Sequence, residues 1–246
     1  MSAETIKNFL YASTATVSMQ MMKRGFRNCA IGGVRPLNPK ATRLVGPAYT
    51  LRYIPSREDL DKPPTPADPP SAQRRAIEET PAGHVLVIGT EGNTRSGTLG
   101  DILALRLKVR GVAGVLSDGA MRDTPVISGF DFPVYCTAGA APPSMANLHP
   151  VEVQTPVGIC GVPVYPGDVI VADDDGAIVV PRHLADEVGR DSFEQERLEK
   201  FVAIRVAQGL AQHPRDRRDR QRLQPKEMAA REQRRIWLIC ARIKCA

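Results

Sequence analysis

Aromatic residues are scarce in this chain: one Trp, five Tyr and six Phe among 246 residues. Its core must therefore come from Val, Ile, Leu and Ala, which suits an α/β protein of short strands and small-residue turns. Long hydrophobic runs are missing as well, so no transmembrane span is expected. The opening segment MSAETIKNFLYASTATVSMQMMKRG lacks the basic-then-apolar order of a secretory signal and reads as an amphipathic helix. The five cysteines (Cys29, Cys136, Cys160, Cys240, Cys245) form no C-x-x-C pair. That speaks against zinc or dithiol redox chemistry and for reduced thiols in a cytoplasmic protein. The histidines His84, His149, His183 and His213 show no ligand spacing, and nothing suggests a Ser-His-Asp arrangement. No glycine-rich strand-to-helix loop suited to an adenosyl cofactor is present.

Acidic charge is short in one place only. From Pro214 to Ala246 there are 11 Lys and Arg against 4 Asp and Glu, while the other residues hold 22 against 23. The net charge of +6 thus belongs to the tail, and residues 1–213 form a nearly neutral body long enough for one domain. The run Pro214-Arg-Asp-Arg-Arg-Asp-Arg-Gln-Arg reads either as a disordered extension or as a nucleic-acid-binding arm. The disordered extension is preferred, and neither a nucleic acid nor a membrane is expected as a partner.

The pattern predicts a helix over about Thr5–Lys23, with Ile6, Leu10, Val17 and Met21 on its inner side. A strand follows at Val45–Ile54, then a proline-rich exposed loop over residues 55–72. A short helix near Gln73–Glu79 precedes the strand His84–Gly89. Later strands fall around Val134, Glu152–Gln154, Val157–Cys160, Val169–Ala172 and Ala177–Val180. The last two are joined as a hairpin. Arg182–Gln208 reads as helix. Alternating and clustered strands together give a mixed α/β protein and argue against a pure Rossmann sheet.

The segment GTLGDILALRLKVRGVAGVLSDGAMRD, Gly97–Asp123, carries the chemistry. Gly100-Asp101 opens an apolar-periodic helix through Ile102, Leu103, Leu105, Leu107 and Val109 that stops at Arg110-Gly111. A buried strand, Val112–Leu116, then ends in the turn Ser117-Asp118-Gly119, followed by Arg122-Asp123. The free N–H groups at the helix start can thus lie near a guanidinium and a carboxylate, a setting suited to a small anion beside a metal ion. Each residue has a plainer reading too. Asp123 before Thr124-Pro125 is a good helix cap, Arg122 can pair with Asp118, and Asp101 can serve the helix dipole. Apart from Lys108 on the helix body the segment has no lysine, so a Schiff-base mechanism is not expected. Asp173-Asp174-Asp175-Gly176 looks metal-like, but turn chemistry accounts for it better.

Asp101, twenty intervening residues and Arg122-Asp123, set in G-D-I-L and R-G-V-A-G-V-x-x-D-G-x-x-R-D, resemble the RraA-like proteins. The likeness continues through Gly129–Tyr135 and Pro166–Gly176, and loosely from Thr5 to Gln212. That family includes class II pyruvate aldolases, which cleave 4-hydroxy-4-methyl-2-oxoglutarate, and regulators that inhibit an RNA-degrading endonuclease. The resemblance implies a three-layer β/β/α swivelling domain, assembled as a homotrimer or a pair of trimers. It implies a divalent cation, Mg²⁺ or Mn²⁺, on Asp123. It implies a 2-oxo acid bound by Arg122 and by the backbone of Gly100, Asp101, Ile102 and Leu103, with Asp101 and Arg122 as the catalytic pair and Asp101 holding a metal-bound water. An acidic residue from a neighbouring subunit's C-terminal helix would complete the site; Glu194, Glu196 and Glu199 are the candidates. The expected activity is pyruvate release from a 4-hydroxy-2-oxo acid, with oxaloacetate decarboxylation open to the same electron sink. The alternative is a ribonuclease partner bound by surface contact.

Overall fold

Short runs of Val, Ile and Leu punctuated by Gly and Pro build a mixed sheet with helices gathered on its flanks. The computed structural model describes residues 1–59, 61, 65 and 69–207. The basic run from Pro214 onward lies outside the described residues. Met1–Arg197 form one compact unit, and the described residues from Leu198 onward belong to a second. In chain order the elements are α1 (Ala3–Tyr11), α2 (Thr14–Lys23), β1 (Ala30–Ile31), β2 (Arg35–Pro36), β3 (Leu44–Pro55), α3 (Ala72–Glu79) and β4 (Val85–Gly89). Next come α4 (Asp101–Val109), β5 (Gly114–Ser117), β6 (Ala120–Met121), α5 (Thr124–Ile127), β7 (Val134–Cys136) and β8 (Ala138–Gly139). The chain continues with β9 (Leu148–Val153), β10 (Val157–Ile159), β11 (Val162–Val164), β12 (Val169–Asp173), β13 (Gly176–Val180) and α6 (Ala185–Ala207).

The large sheet has the order β1-β13-β12-β3-β4-β5-β7-β2, with β9 added along β3. Its centre, β3-β4-β5-β7, is parallel, and the β12-β13 hairpin joins β3 antiparallel. β3 links the two halves: Leu44–Pro47 pair with β12, whereas Ala48–Arg52 pair with β4. On one face α3 and α4 bury Ile77, Ala104 and Leu107 against Leu86, Ile88 and Val115. On the other, the β10-β11 hairpin buries Val157, Ile159, Val162 and Val164 against Val85, Val87 and Leu116. These are the three layers, β/β/α. A third cluster seats Phe9, Val17 and Met21 on Val169, Val171 and Val180.

The single helix expected over Thr5–Lys23 is two. Ala12 and Ser13 are extended, and the Ser13 hydroxyl caps α2 by accepting the Thr16 N–H. The break also changes the inner face: Phe9 is buried, while Leu10 is exposed. The strand expected at Val112 starts at Gly114. Asp173-Asp174-Asp175-Gly176 is a hairpin turn, with Asp173 opposite Gly176 and its carboxylate taking the Asp175 N–H.

Candidate active site

α4 starts where it does because Gly100, with φ −108° and ψ −178°, takes the extended N-cap conformation, and no side chain caps it. The first-turn N–H groups are those a helix leaves without internal partners; that of Ile102 donates to the Asp101 carboxylate at 2.7 Å. The Ile102 side chain is itself 76% exposed, and Leu103 packs against the helix-side core. What Leu103 offers a ligand is therefore backbone, while the Ile102 N–H is already taken by Asp101.

β5 runs through Ser117-Asp118-Gly119 and β6 to bring Arg122-Asp123 beside this helix end. The Arg122 N–H donates to the Leu99 carbonyl at 2.8 Å, and the Thr98 N–H donates to that of Ala120 at 2.9 Å. A Cβ added at Gly97 would lie 2.7 Å from the Arg122 nitrogen, and one added at Gly100 would lie 2.7 Å from Asp123 Oδ2. Both glycines are thus required by close approach, and the missing Gly100 Cβ leaves open the space beside the Asp123 carboxylate.

Asp123 adopts φ 53° and ψ 33°, a left-handed conformation that costs a non-glycine residue about 1–2 kcal/mol. It occupies the N-cap position of α5, yet its side chain makes no capping bond. Only its carbonyl serves that helix, accepting from Val126 and Ile127. The carboxylate lies over Gly100 instead, which corrects the capping alternative. Arg122 Nε donates to the Ala141 carbonyl at 3.1 Å, which fixes the guanidinium and leaves its terminal nitrogens for a ligand.

The alternative pairing of Arg122 with Asp118 is also corrected. Asp118 is 3% exposed and accepts the Thr90 N–H at 2.7 Å, the Thr90 hydroxyl at 3.0 Å and the Gly92 N–H at 2.9 Å. Burial pushes its carboxyl above the ordinary range, with those bonds pulling the other way. Sequence reasoning assigned Asp118 only a turn and a pairing with Arg122, and it assigned no role to the Ala141–Pro143 segment. The available signals were an Asp-Gly pair ending an apolar strand, and Pro142-Pro143. Of the C-terminal acids, Glu196 accepts from the Ser13 N–H and hydroxyl and from the Thr16 hydroxyl, and Glu194 pairs with Arg197.

Among the described residues no three His, Cys, Asp or Glu side chains are grouped as ligands of one ion. An ion at this site would rest on one or two carboxylates, with water and substrate oxygens completing it, which is the habit of Mg²⁺. The Asp123 carboxylate, which caps no helix, fits that requirement. No helix among the described residues is long and apolar enough to cross a membrane.

Residues 14–179 match the RraA-like family, described as Aldolase/RraA. The chain is 38% identical over 109 residues to a 4-hydroxy-4-methyl-2-oxoglutarate aldolase of Thermus thermophilus, covering 44% of this chain and 65% of that protein. It is 28% identical over 185 residues to protein DlpA of Legionella pneumophila, covering 74% of this chain and 29% of that one. The matches thus span less than two thirds of either relative. Among solved structures, Streptomyces coelicolor RraAS2, an unusual member of the RNase ES inhibitor RraA protein family, superposes with a TM-score of 0.74 at 33% identity. That likeness covers 83% of this chain and 98% of the other. With the family match spanning well over half the chain, and the β/β/α layers and the Asp101/Arg122-Asp123 spacing both present, this protein belongs to the RraA-like family.

Proposed function

We propose that the protein is a divalent-metal-dependent lyase of the class II pyruvate aldolase type, releasing pyruvate from a 4-hydroxy-2-oxo acid such as 4-hydroxy-4-methyl-2-oxoglutarate. One observation carries this reading: the Asp123 carboxylate lies against Gly100, at the N-terminus of α4 and next to a guanidinium held by Ala141. On this reading a metal ligand, an anion-binding helix end and an arginine clamp would share one place.

Arg122 and the first-turn N–H groups of α4 would hold the carboxylate and keto oxygen of the 2-oxo acid. Asp123, with Asp101 through water, would hold the ion, which supplies Lewis-acid polarisation of the keto group. A carboxylate base takes the proton from the distal hydroxyl, and the C3–C4 bond breaks. Its electron pair passes to the pyruvyl fragment as an enolate, whose oxygen Arg122 stabilises. Asp101 then returns a proton through water and pyruvate leaves. Oxaloacetate decarboxylation would end in the same enolate. Glu194, Glu196 and Glu199 are the acids a neighbouring subunit would offer; within its own chain Glu196 also serves α2 and Glu194 pairs with Arg197.

The test is pyruvate release coupled to lactate dehydrogenase, from 4-hydroxy-4-methyl-2-oxoglutarate and from oxaloacetate, with Mg²⁺, Mn²⁺ or EDTA. Turnover should need the metal and fall at least about a hundredfold in Asp123→Ala, since a Lewis acid contributes several kcal/mol. A folded, metal-supplied protein inert on both substrates would overturn the reading. The similarity to RraAS2 favours one other reading, a ribonuclease regulator. That role predicts capture of an endonuclease, indifferent to EDTA and to Asp123→Ala.

A further inference from the structure

Asp118 is a buried carboxylate that the proposed chemistry does not use, and among the described residues no Lys, Arg or His pairs with it. Its three bonds all go to one turn, Thr90–Gly92. Within that turn Glu91 and Gly92 both have positive φ, 57° and 73°. A turn can aim its N–H groups into a concavity that binds anions; here the Thr90 and Gly92 N–H groups converge on a side chain of the same protein. Gly119 belongs to the same joint, because a Cβ there would lie 2.6 Å from the Thr90 hydroxyl oxygen. The far end of the loop reaches Arg122. Gly97 pairs with Ala120 and packs against Arg122, Thr98 donates to Ala120, and Leu99 accepts the Arg122 N–H.

We propose that Asp118 is a positioning residue for Arg122. Its carboxylate clamps the Thr90–Gly92 turn, and so holds residues 97–99 as the shelf against which Arg122 is set. The role of Arg122 toward a 2-oxo acid rests on the lyase reading; the mechanical link from Asp118 to Arg122 does not. Asp118→Asn keeps the volume and an oxygen for the Thr90 N–H and hydroxyl, but it removes the charge and turns an amide N–H₂ group onto the Gly92 N–H, so the Gly92 arm of the clamp is lost. Thr90→Val removes the hydroxyl donor alone and serves as the milder variant if Asp118→Asn does not fold.

The experiment is modification of Arg122 by phenylglyoxal, followed by peptide mass spectrometry in wild type, Asp118→Asn and Thr90→Val, with and without oxalate as an enolate mimic. Without oxalate, the Arg122 rate relative to the other arginines should rise about fivefold in Asp118→Asn, the factor carried by ~1 kcal/mol. Thr90→Val should move it less, in the same direction. An Arg122 rate unchanged in a folded Asp118→Asn protein overturns the proposal. Oxalate protection of Arg122 in the wild type tests the lyase reading separately, so either can fail without the other. Where turnover is measurable, Asp118→Asn should raise KM more than it lowers kcat. That rise should vanish in an Arg122→Lys background, because residues acting through one another are not additive.

Discussion

Two glycines three residues apart separate what a backbone needs from what a site needs. At Gly100 the backbone is ordinary extended chain, so alanine adds no conformational strain. The cost is the 2.7 Å approach of the new Cβ to Asp123 Oδ2. Gly100→Ala should therefore melt within a few degrees of wild type yet release pyruvate about a hundredfold more slowly, the penalty of displacing a catalytic group by about an ångström. Gly97→Ala presses on the Arg122 backbone nitrogen instead and should lose several degrees as well. If Gly100→Ala matched wild-type turnover, the Asp123 carboxylate would not be the metal ligand. Asp118 can be read through a neighbour. Burial and then the Asp118 charge raise the exposed Cys160 thiol. Removing that charge in Asp118→Asn lowers the thiol pKa, so at pH 8 more thiolate is present and Cys160 should alkylate faster with iodoacetamide. An unchanged rate would mean that the charge does not reach the thiol. The approach of Gly100 at the start of α4 to Arg122-Asp123 was legible in the sequence because the helix, strand and turn that bring them together are local. Asp118 was not, because its partners lie 28 positions back, and the left-handed backbone that takes Asp123 out of its capping role leaves no mark in composition.

Elements were legible in proportion to their length and periodicity. The β12-β13 hairpin, α3, α4 and β4 follow from apolar runs with glycine or serine at their ends. β1, β2, β6 and β8 are two residues long, too short to show any period, and exist because larger neighbours offer them a ladder. β11 hides behind Pro163, which a central strand would not accept. β11 pairs with β10 alone and its Pro163 faces solvent, so the missing N–H is harmless there. The split between α1 and α2 was missed: Ser13 caps α2, but the partner that stabilises the cap, Glu196, comes from 183 residues away. Glu196→Ala removes the acceptor for the Ser13 N–H and hydroxyl and for the Thr16 hydroxyl. The expected cost is about 1–2 kcal/mol, or roughly 3–6 °C in Tm, with kcat unchanged. A collapse of kcat at unchanged Tm would make Glu196 the missing base and overturn its capping role.

At the scale of the whole molecule, α4 is apolar on both sides. Ala104 and Leu107 face the core, while Ile102, Leu105 and Val109, spaced three and four residues apart, share the outer face at 76%, 47% and 72% exposure. Val126 of α5, half exposed, adds a further apolar side chain on a helix that contacts α4. Exposed apolar patches mark surfaces that a partner or ligand covers. The face lies on the helix whose first-turn N–H groups the lyase reading gives to the substrate, so a subunit covering it would bring its own side chains close to them. On that reading this subunit supplies the acid that takes the hydroxyl proton, in the trimer implied by the family resemblance. Light scattering after size exclusion should give about three times the 26.8 kDa chain mass, or a multiple of that. Leu105→Asp with Val109→Asp, which touches neither Arg122 nor Asp123, should shift the protein toward monomer and abolish pyruvate release. A monomeric wild type, or a dissociated variant that still turns over, would place every catalytic group in one chain and send the search for the base back to the loops around Thr90 and Ala141.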